Sequence, residues 1–282
     1  MLTTYHGVKI IINIIDKTCL KKYLSLLEIE DSEPSFELLS RIVKAHLIKV
    51  PFENISKLLL KQARMNRIPE LAEFLQGIEK YNFGGTCYAN NYCLYLLLKH
   101  LGFDVTLCGA DMKNPDVHLI SRVKIEGREY IVDGGYAAPF LIPLPADLNT
   151  DYTITLGDEK YIVKPKDEKG RTRVEQHYNG RLQHWYTTNP KSRRIEDFQK
   201  VIADSYSDEA VFMNAIRITR FTENGALVLK NFIFVETNET ETVTIKLTRE
   251  ELPDFIELKF QMPAELVRRA LESIKELKDI YN

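Results

Sequence analysis

Three residues suited to acyl chemistry stand at telling points of the chain: Cys87, His118 and Asp133. A thiol attacks a carbonyl as thiolate, and the unpaired N–H groups and dipole of a helix N-terminus favour negative charge. Cys87 follows a tight-turn sequence, Asn82-Phe83-Gly84-Gly85-Thr86, and precedes a strongly apolar segment, 88–101, that closes with Gly102 at a helix C-terminal position. This places it near a helix N-terminus. The glycines before it let backbone N–H groups approach a substrate and face an oxyanion. His118 opens one strand pattern and Asp133 closes the next, with Glu126-Gly127-Arg128 as the hairpin turn between them. At one end of a sheet, Asp133 would fix the imidazole tautomer and leave the other ring nitrogen to take the thiol proton. Singly, each residue has a plainer reading. A lone cysteine is more often a small buried hydrophobe, a buried histidine a satisfied structural one, and a strand-end aspartate a turn former.

Helical and strand patterns supply the frame. Leu20, Leu24 and Leu27, then Phe36, Leu39, Ile42, Val43, His46 and Leu47, recur at helical spacing and predict two packed helices. Ser32-Glu33-Pro34-Ser35 separates them and Pro51 ends the second. A further helix is expected over 69–80. Beyond the Cys87 helix the texture turns to strands at 105–110, 118–125 and 129–132, and to a hairpin of 152–156 and 160–163 around Gly157-Asp158. Thr187-Thr188-Asn189-Pro190 reads as a strand break and 195–203 as a short connecting helix. The tail reads as strands at 215–221, 226–236 and 241–247, then a helix over 263–281. Helices, then antiparallel strands, then a mixed end make an α+β layout.

Composition narrows the partners. Lys and Arg number 38 against 40 Asp and Glu, so no global field draws in a polyanion and nucleic acid is not expected. The local group Lys191, Arg193 and Arg194 reads as a solvated face. Four cysteines without C-x-x-C spacing give no zinc pattern, no metal is expected, and a chain of 282 residues needs no disulfide staples, so a reducing cytoplasm fits best. The apolar run at 8–15 falls well short of the about 20 residues that span a bilayer. It reads as an early strand or packed extension, and neither a membrane nor a targeting segment is expected.

His46-Leu47-Ile48-Lys49-Val50-Pro51-Phe52-Glu53-Asn54-Ile55 resembles the H-L-x-x-[IV]-P-F-E-N-[LI] segment of the arylamine N-acetyltransferases. Gly84-Gly85-Thr86-Cys87-Tyr88-Ala89-Asn90-Asn91 is similar to their R-G-G-x-C-x-[EQ]-x-N nucleophile motif, with Leu101-Gly102-Phe103 following. His118-Leu119-Ile120 resembles the family's histidine strand, and Asp133-Gly134-Gly135-Tyr136-Ala137 its D-V-G-F-G turn. The resemblance implies a helical domain at 1–101 carrying the nucleophile, a β-barrel domain at 102–194 carrying His and Asp, and a connecting helix with an α/β lid at 195–282. The core would be like that of papain-type cysteine enzymes. It implies a catalytic triad of Cys87, His118 and Asp133, an acceptor pocket lined by Phe52, Tyr88 and Tyr136, and cofactor contacts at Gly134 and Gly135. The implied reaction is ping-pong: acetyl-CoA acylates Cys87, and an arylamine, hydrazine or arylhydroxylamine takes the acetyl group, as in xenobiotic metabolism. The same triad would serve an amide synthase of a biosynthetic pathway or a cysteine hydrolase, and a catalytically weak member could act by binding. Three positions depart from the family pattern. Phe83 stands for the Arg that pairs with the Glu of P-F-E-N, Ala89 for Glu or Gln, and Ala137 for the last Gly of D-V-G-F-G.

Overall fold

The computed structural model describes residues 17–278. The apolar run at 8–15 lies outside the described residues; the closing helix expected over 263–281 ends at Glu272, with 273–278 non-helical and 279–281 outside the described residues. Helices α1 (Lys17–Leu27) and α2 (Phe36–Lys49) bury the leucine faces that predict them. Ser35 caps α2, its Oγ accepting from Leu38 N at 3.1 Å. After Pro51 come a two-residue strand β1 (Phe52–Glu53), α3 (Ile55–Gln62) and α4 (Leu71–Tyr81). Asn82, left-handed at φ 53°, ends α4 and turns the chain into Gly84-Gly85. A Cβ on Gly84 would stand 2.0 Å from Pro51 O, so only glycine lets this turn lie against the chain that leaves α2. Helix α5 (Cys87–His100) then runs buried on several faces, as a central helix must.

Eight antiparallel strands curl into a nearly closed barrel in the order β5-β4-β3-β2-β9-β8-β7-β6. They are β2 (Asp104–Asp111), β3 (His118–Ile125), β4 (Arg128–Val132), β5 (Leu144–Pro145), β6 (Tyr152–Leu156), β7 (Glu159–Val163), β8 (Arg173–Tyr178) and β9 (Arg181–Ser192). The β3–β4 turn has positive φ at both Glu126 and Gly127, the twist a two-residue hairpin needs. A short helix, α6 (Gln199–Asp204), leads to a second sheet in the order β1-β10-β11-β12-β13, from β10 (Arg217–Thr222), β11 (Gly225–Lys230), β12 (Ile233–Thr237) and β13 (Thr242–Lys246). Helices α7 (Leu252–Phe260) and α8 (Ala264–Glu272) close the described chain. This is an α+β fold with a barrel. No helix among the described residues is long and apolar enough to cross a membrane.

Three local expectations need correction. The strand does not break at Thr187–Pro190: β9 continues to Ser192, and Pro190 falls where the β2–β9 register shifts between Cys108 and Ala110. A bulge tolerates a residue without an N–H. The single strand expected over 226–236 is two, folded back at Asn231, which is left-handed at φ 50°. Helices α3 and α7 were not anticipated. At 8 and 9 residues they are too short for a periodicity signal, and packing holds them: α3 rests on α8.

Candidate active site

Cys87 is the first residue of α5, and Thr86 is its N-cap. The helix lies against β2 and β3, so Cys87 meets the start of β3, with Sγ 4.0 Å from Val117 O. His118, the first residue of β3, is 1% exposed, and its Nε2 lies 2.8 Å from Asp133 Oδ2. That bond leaves Nδ1 for the thiol. Asp133 follows the last residue of β4 and is 2% exposed. Burial works against a charged imidazole at His118. The Asp133 carboxylate and its hydrogen bond, joined by a hydrogen bond and charge from Cys87, more than offset it and raise His118 from 6.5 to about 10. Burial likewise favours a neutral Asp133, but His118, Asn91 and the Gly135 N–H hold it below the usual aspartate range.

Asn91, one turn after Cys87, couples the two halves of the site. Its Nδ2 donates to Leu119 O at 2.6 Å and Asp133 Oδ1 at 2.9 Å, and its Oδ1 accepts from Gly134 N at 2.7 Å. The motif contains this residue, but its part in orienting Asp133 depends on a contact between distant segments. The loop before His118 is held as well: Tyr88 donates to Asp116 O at 3.1 Å, and Arg193 pairs with Asp116 at 2.8 Å. Neither partnership has a sequence signal.

Gly134 and Gly135 are packing positions. A Cβ on Gly134 would meet His46 Nε2 at 2.8 Å, and one on Gly135 would meet Cys87 Cα at 2.7 Å and Cys87 O at 2.9 Å. The barrel loop can approach the nucleophile only with glycine there. Tyr136 presents its edge to His118, ring centroids 5.7 Å apart, and its hydroxyl shares a 2.7 Å hydrogen bond with His184 Nδ1. Tyr88 is 5% exposed, with its hydroxyl used on the loop; Phe52 is 7% exposed and packs edge-on against Phe212. Tyr136 therefore stands at the triad, while Tyr88 and Phe52 lie deeper.

The departures from the motif have local answers. Glu53 is fully buried, and its carboxylate accepts from Ser56 N at 2.9 Å, Ser56 Oγ at 2.5 Å and Gly85 N at 2.8 Å. Burial still pushes its acid upward against these bonds. Phe83 is buried against Tyr81 and leaves that carboxylate to the glycine turn. Ala137 is left-handed at φ 59°, a conformation that glycine adopts without cost and alanine does not.

A thiol at a helix N-terminus, facing a buried imidazole held by a carboxylate, is an arrangement suited to nucleophilic acyl chemistry. The family model for N-acetyltransferase matches residues 35–268, and the chain belongs to the arylamine N-acetyltransferase family. It is similar to the chicken arylamine N-acetyltransferase, pineal gland isozyme NAT-3: 33% identical over 124 residues, 41% of this chain and 41% of that protein. The chain thus spans about two fifths of the length of that curated relative. It is also similar to proansamycin X synthase of Amycolatopsis mediterranei, 24% identical over 186 residues, 60% of this chain and 69% of that protein. In three dimensions the arylamine N-acetyltransferase of Mycobacterium abscessus superposes with a TM-score of 0.75 at 16% identity, covering 90% of this chain and 94% of that one. Among the described residues no group of His, Cys, Asp and Glu could hold a metal ion.

Proposed function

We propose that the chain is an acyltransferase that carries an acetyl group from acetyl-CoA, through a thioester on Cys87, to an arylamine, hydrazine or arylhydroxylamine. The observation that carries this reading is the series of Cys87 at the start of α5, His118, and Asp133 Oδ2 at 2.8 Å from His118 Nε2. Cys87 gives its proton to His118 and attacks the acetyl carbonyl. The C–S bond to the coenzyme breaks, and the coenzyme thiolate leaves with the proton from His118. The amine then attacks the thioester and passes a proton to His118, and Cys87 leaves as thiolate. Asp133 steadies the imidazolium in both halves without taking its proton. The Gly85 N–H is held by Glu53, so the oxyanion falls to the N–H groups that follow it at the start of α5.

In this reading residues 1–101 carry the nucleophile, 102–194 the His–Asp pair and 195–282 the lid. Tyr136 forms the acceptor wall, with Tyr88 and Phe52 behind it, and the turn through Gly134 and Gly135 faces the donor. The test is a thiol-release assay with acetyl-CoA and a panel of anilines, hydrazines and hydroxylamines beside Cys87→Ser. Release that needs both the amine and Cys87 supports the transferase; release without amine makes the protein a hydrolase. A second reading, an amide-forming enzyme of a biosynthetic pathway, has the similarity to proansamycin X synthase in its favour. It predicts transfer to a pathway amine from a carrier-bound acyl group and none from acetyl-CoA.

A further inference from the structure

On the side of α5 turned away from Cys87, a small cavity lies under the Gly85-Thr86 turn. Ser56 and Lys57 of α3, Thr86 and Ala89 of the α5 start, and Ser205 and Tyr206 line it. Ala89 is two residues past Cys87, roughly 200° around the helix, so the cavity is separate from the triad face. Lys57 is 5% exposed. Its ammonium donates to Ser205 Oγ at 2.7 Å and sits 4.6 Å over the Tyr206 ring, while the Ser205 hydroxyl donates onward to Ile202 O. Among the described residues no carboxylate pairs with Lys57.

An ammonium has three donors, and a buried charge is ordinarily paired. Burial accordingly lowers Lys57 to about 8, opposed by the charge of Cys87. Thr86 is 6% exposed, and its side chain makes no hydrogen bond. The positive end of the dipole of α5, 14 residues long, faces the same space through Gly85, Thr86, Tyr88 and Ala89. A cation without a counter-ion on α3 and, opposite it, the N-terminus of α5 with its unpartnered cap hydroxyl thus converge from two separate elements. Both attract negative charge.

We propose that this cavity is a binding site for a small monovalent anion, of the size of chloride or formate, held by Lys57, the Thr86 hydroxyl and the N-terminus of α5. Size sets the class: the cavity has a volume of about 20 Å³, little more than one water-sized guest fills. Ala89 keeps it open, and a glutamate there would bring its own carboxylate into the same space.

The test is thermal unfolding of the full chain in rising sodium formate or sodium chloride, with ionic strength held constant by a bulky organic salt. The expected result is a saturable rise in Tm of about 2–4 °C. It disappears in Lys57→Met and shrinks in Thr86→Val, and Ala89→Glu raises the starting Tm and removes the response. A response to formate alone identifies a carboxylate site, and a response to chloride alone a halide site. No response to either, or an equal response in the parent and Lys57→Met, overturns the proposal. If Lys57→Met fails to fold, Thr86→Val carries the same comparison. The readout does not involve acyl transfer, so its failure leaves the proposed reaction untouched.

Discussion

His118 and His46 are both buried imidazoles, and their surroundings drive them in opposite directions. His46 bonds through Nδ1 to the Tyr23 hydroxyl at 2.7 Å, its Nε2 has no hydrogen-bond partner among the described residues, and burial lowers it to about 3. Its contribution to stability is complete above about pH 6.5, where the unfolded imidazole is also neutral, and is lost as pH falls toward 3. His118, raised to about 10, contributes fully below about pH 6.5 and loses that contribution as pH rises toward 10. Urea midpoints measured against pH should therefore fall on both sides of neutrality. His46→Gln should flatten the acid limb alone and His118→Gln the alkaline limb alone; a single limb that responds to both would refute the assignment. Asp133→Asn should stay folded by circular dichroism yet slow acyl-enzyme formation by roughly three to four orders of magnitude, through loss of tautomer control. Acylation at the parent rate would make Asp133 a turn residue only. Burial pushes Cys93 far up and Cys108 to about 11, so iodoacetamide near neutral pH, followed by peptide mapping, should mark Cys87 well before either. Ala137→Gly relieves a left-handed alanine and should stabilise the protein by about 1 kcal/mol in urea titrations.

At the scale of elements, the site is a seam between the start of α5 and the β3–β4 end of the barrel. Gly135 sets the spacing of that seam. Gly135→Ala would press its Cβ to 2.7 Å from Cys87 Cα, which the neighbouring backbone cannot yield without moving α5. It should cost about 1–3 kcal/mol in urea unfolding and lower Cys87 reactivity; an unchanged alkylation rate would show that the spacing is not needed. Cys87, His118 and Asp133 were legible in the sequence because each stands at an element boundary marked by local signals: a glycine turn, a strand start and a hairpin end. The two first helices, the β3–β4 and β6–β7 hairpins and the α+β order were legible for the same local reason, while the β8–β9 hairpin was not. Asn91, Lys57 and the Arg193–Asp116 pair were not, since their partners lie 28 to 148 residues away. Pro190 misled because a bulge absorbs a residue that a regular strand would reject. The pairing of β1 with β10 was hidden too, because two residues carry no strand periodicity.

For the molecule as a whole, α5 is the shared wall of two cores. Ala89, Cys93, Leu94, Leu97 and Leu98 pack with α1, α2, α4 and the barrel, while Tyr88, Tyr92 and Tyr95 pack with α3, the second sheet, α7 and α8. Cys87 therefore sits where the two cores meet. The proposed reaction turns on a thioester at Cys87. Intact-mass measurement after exposure to acetyl-CoA tests it most directly. The parent protein should gain one acetyl group, Cys87→Ser none, and the group should be lost when an arylamine is added, with the acetylated amine appearing in step. An adduct that persists in Cys87→Ser, or no adduct with any acyl donor, would contradict it.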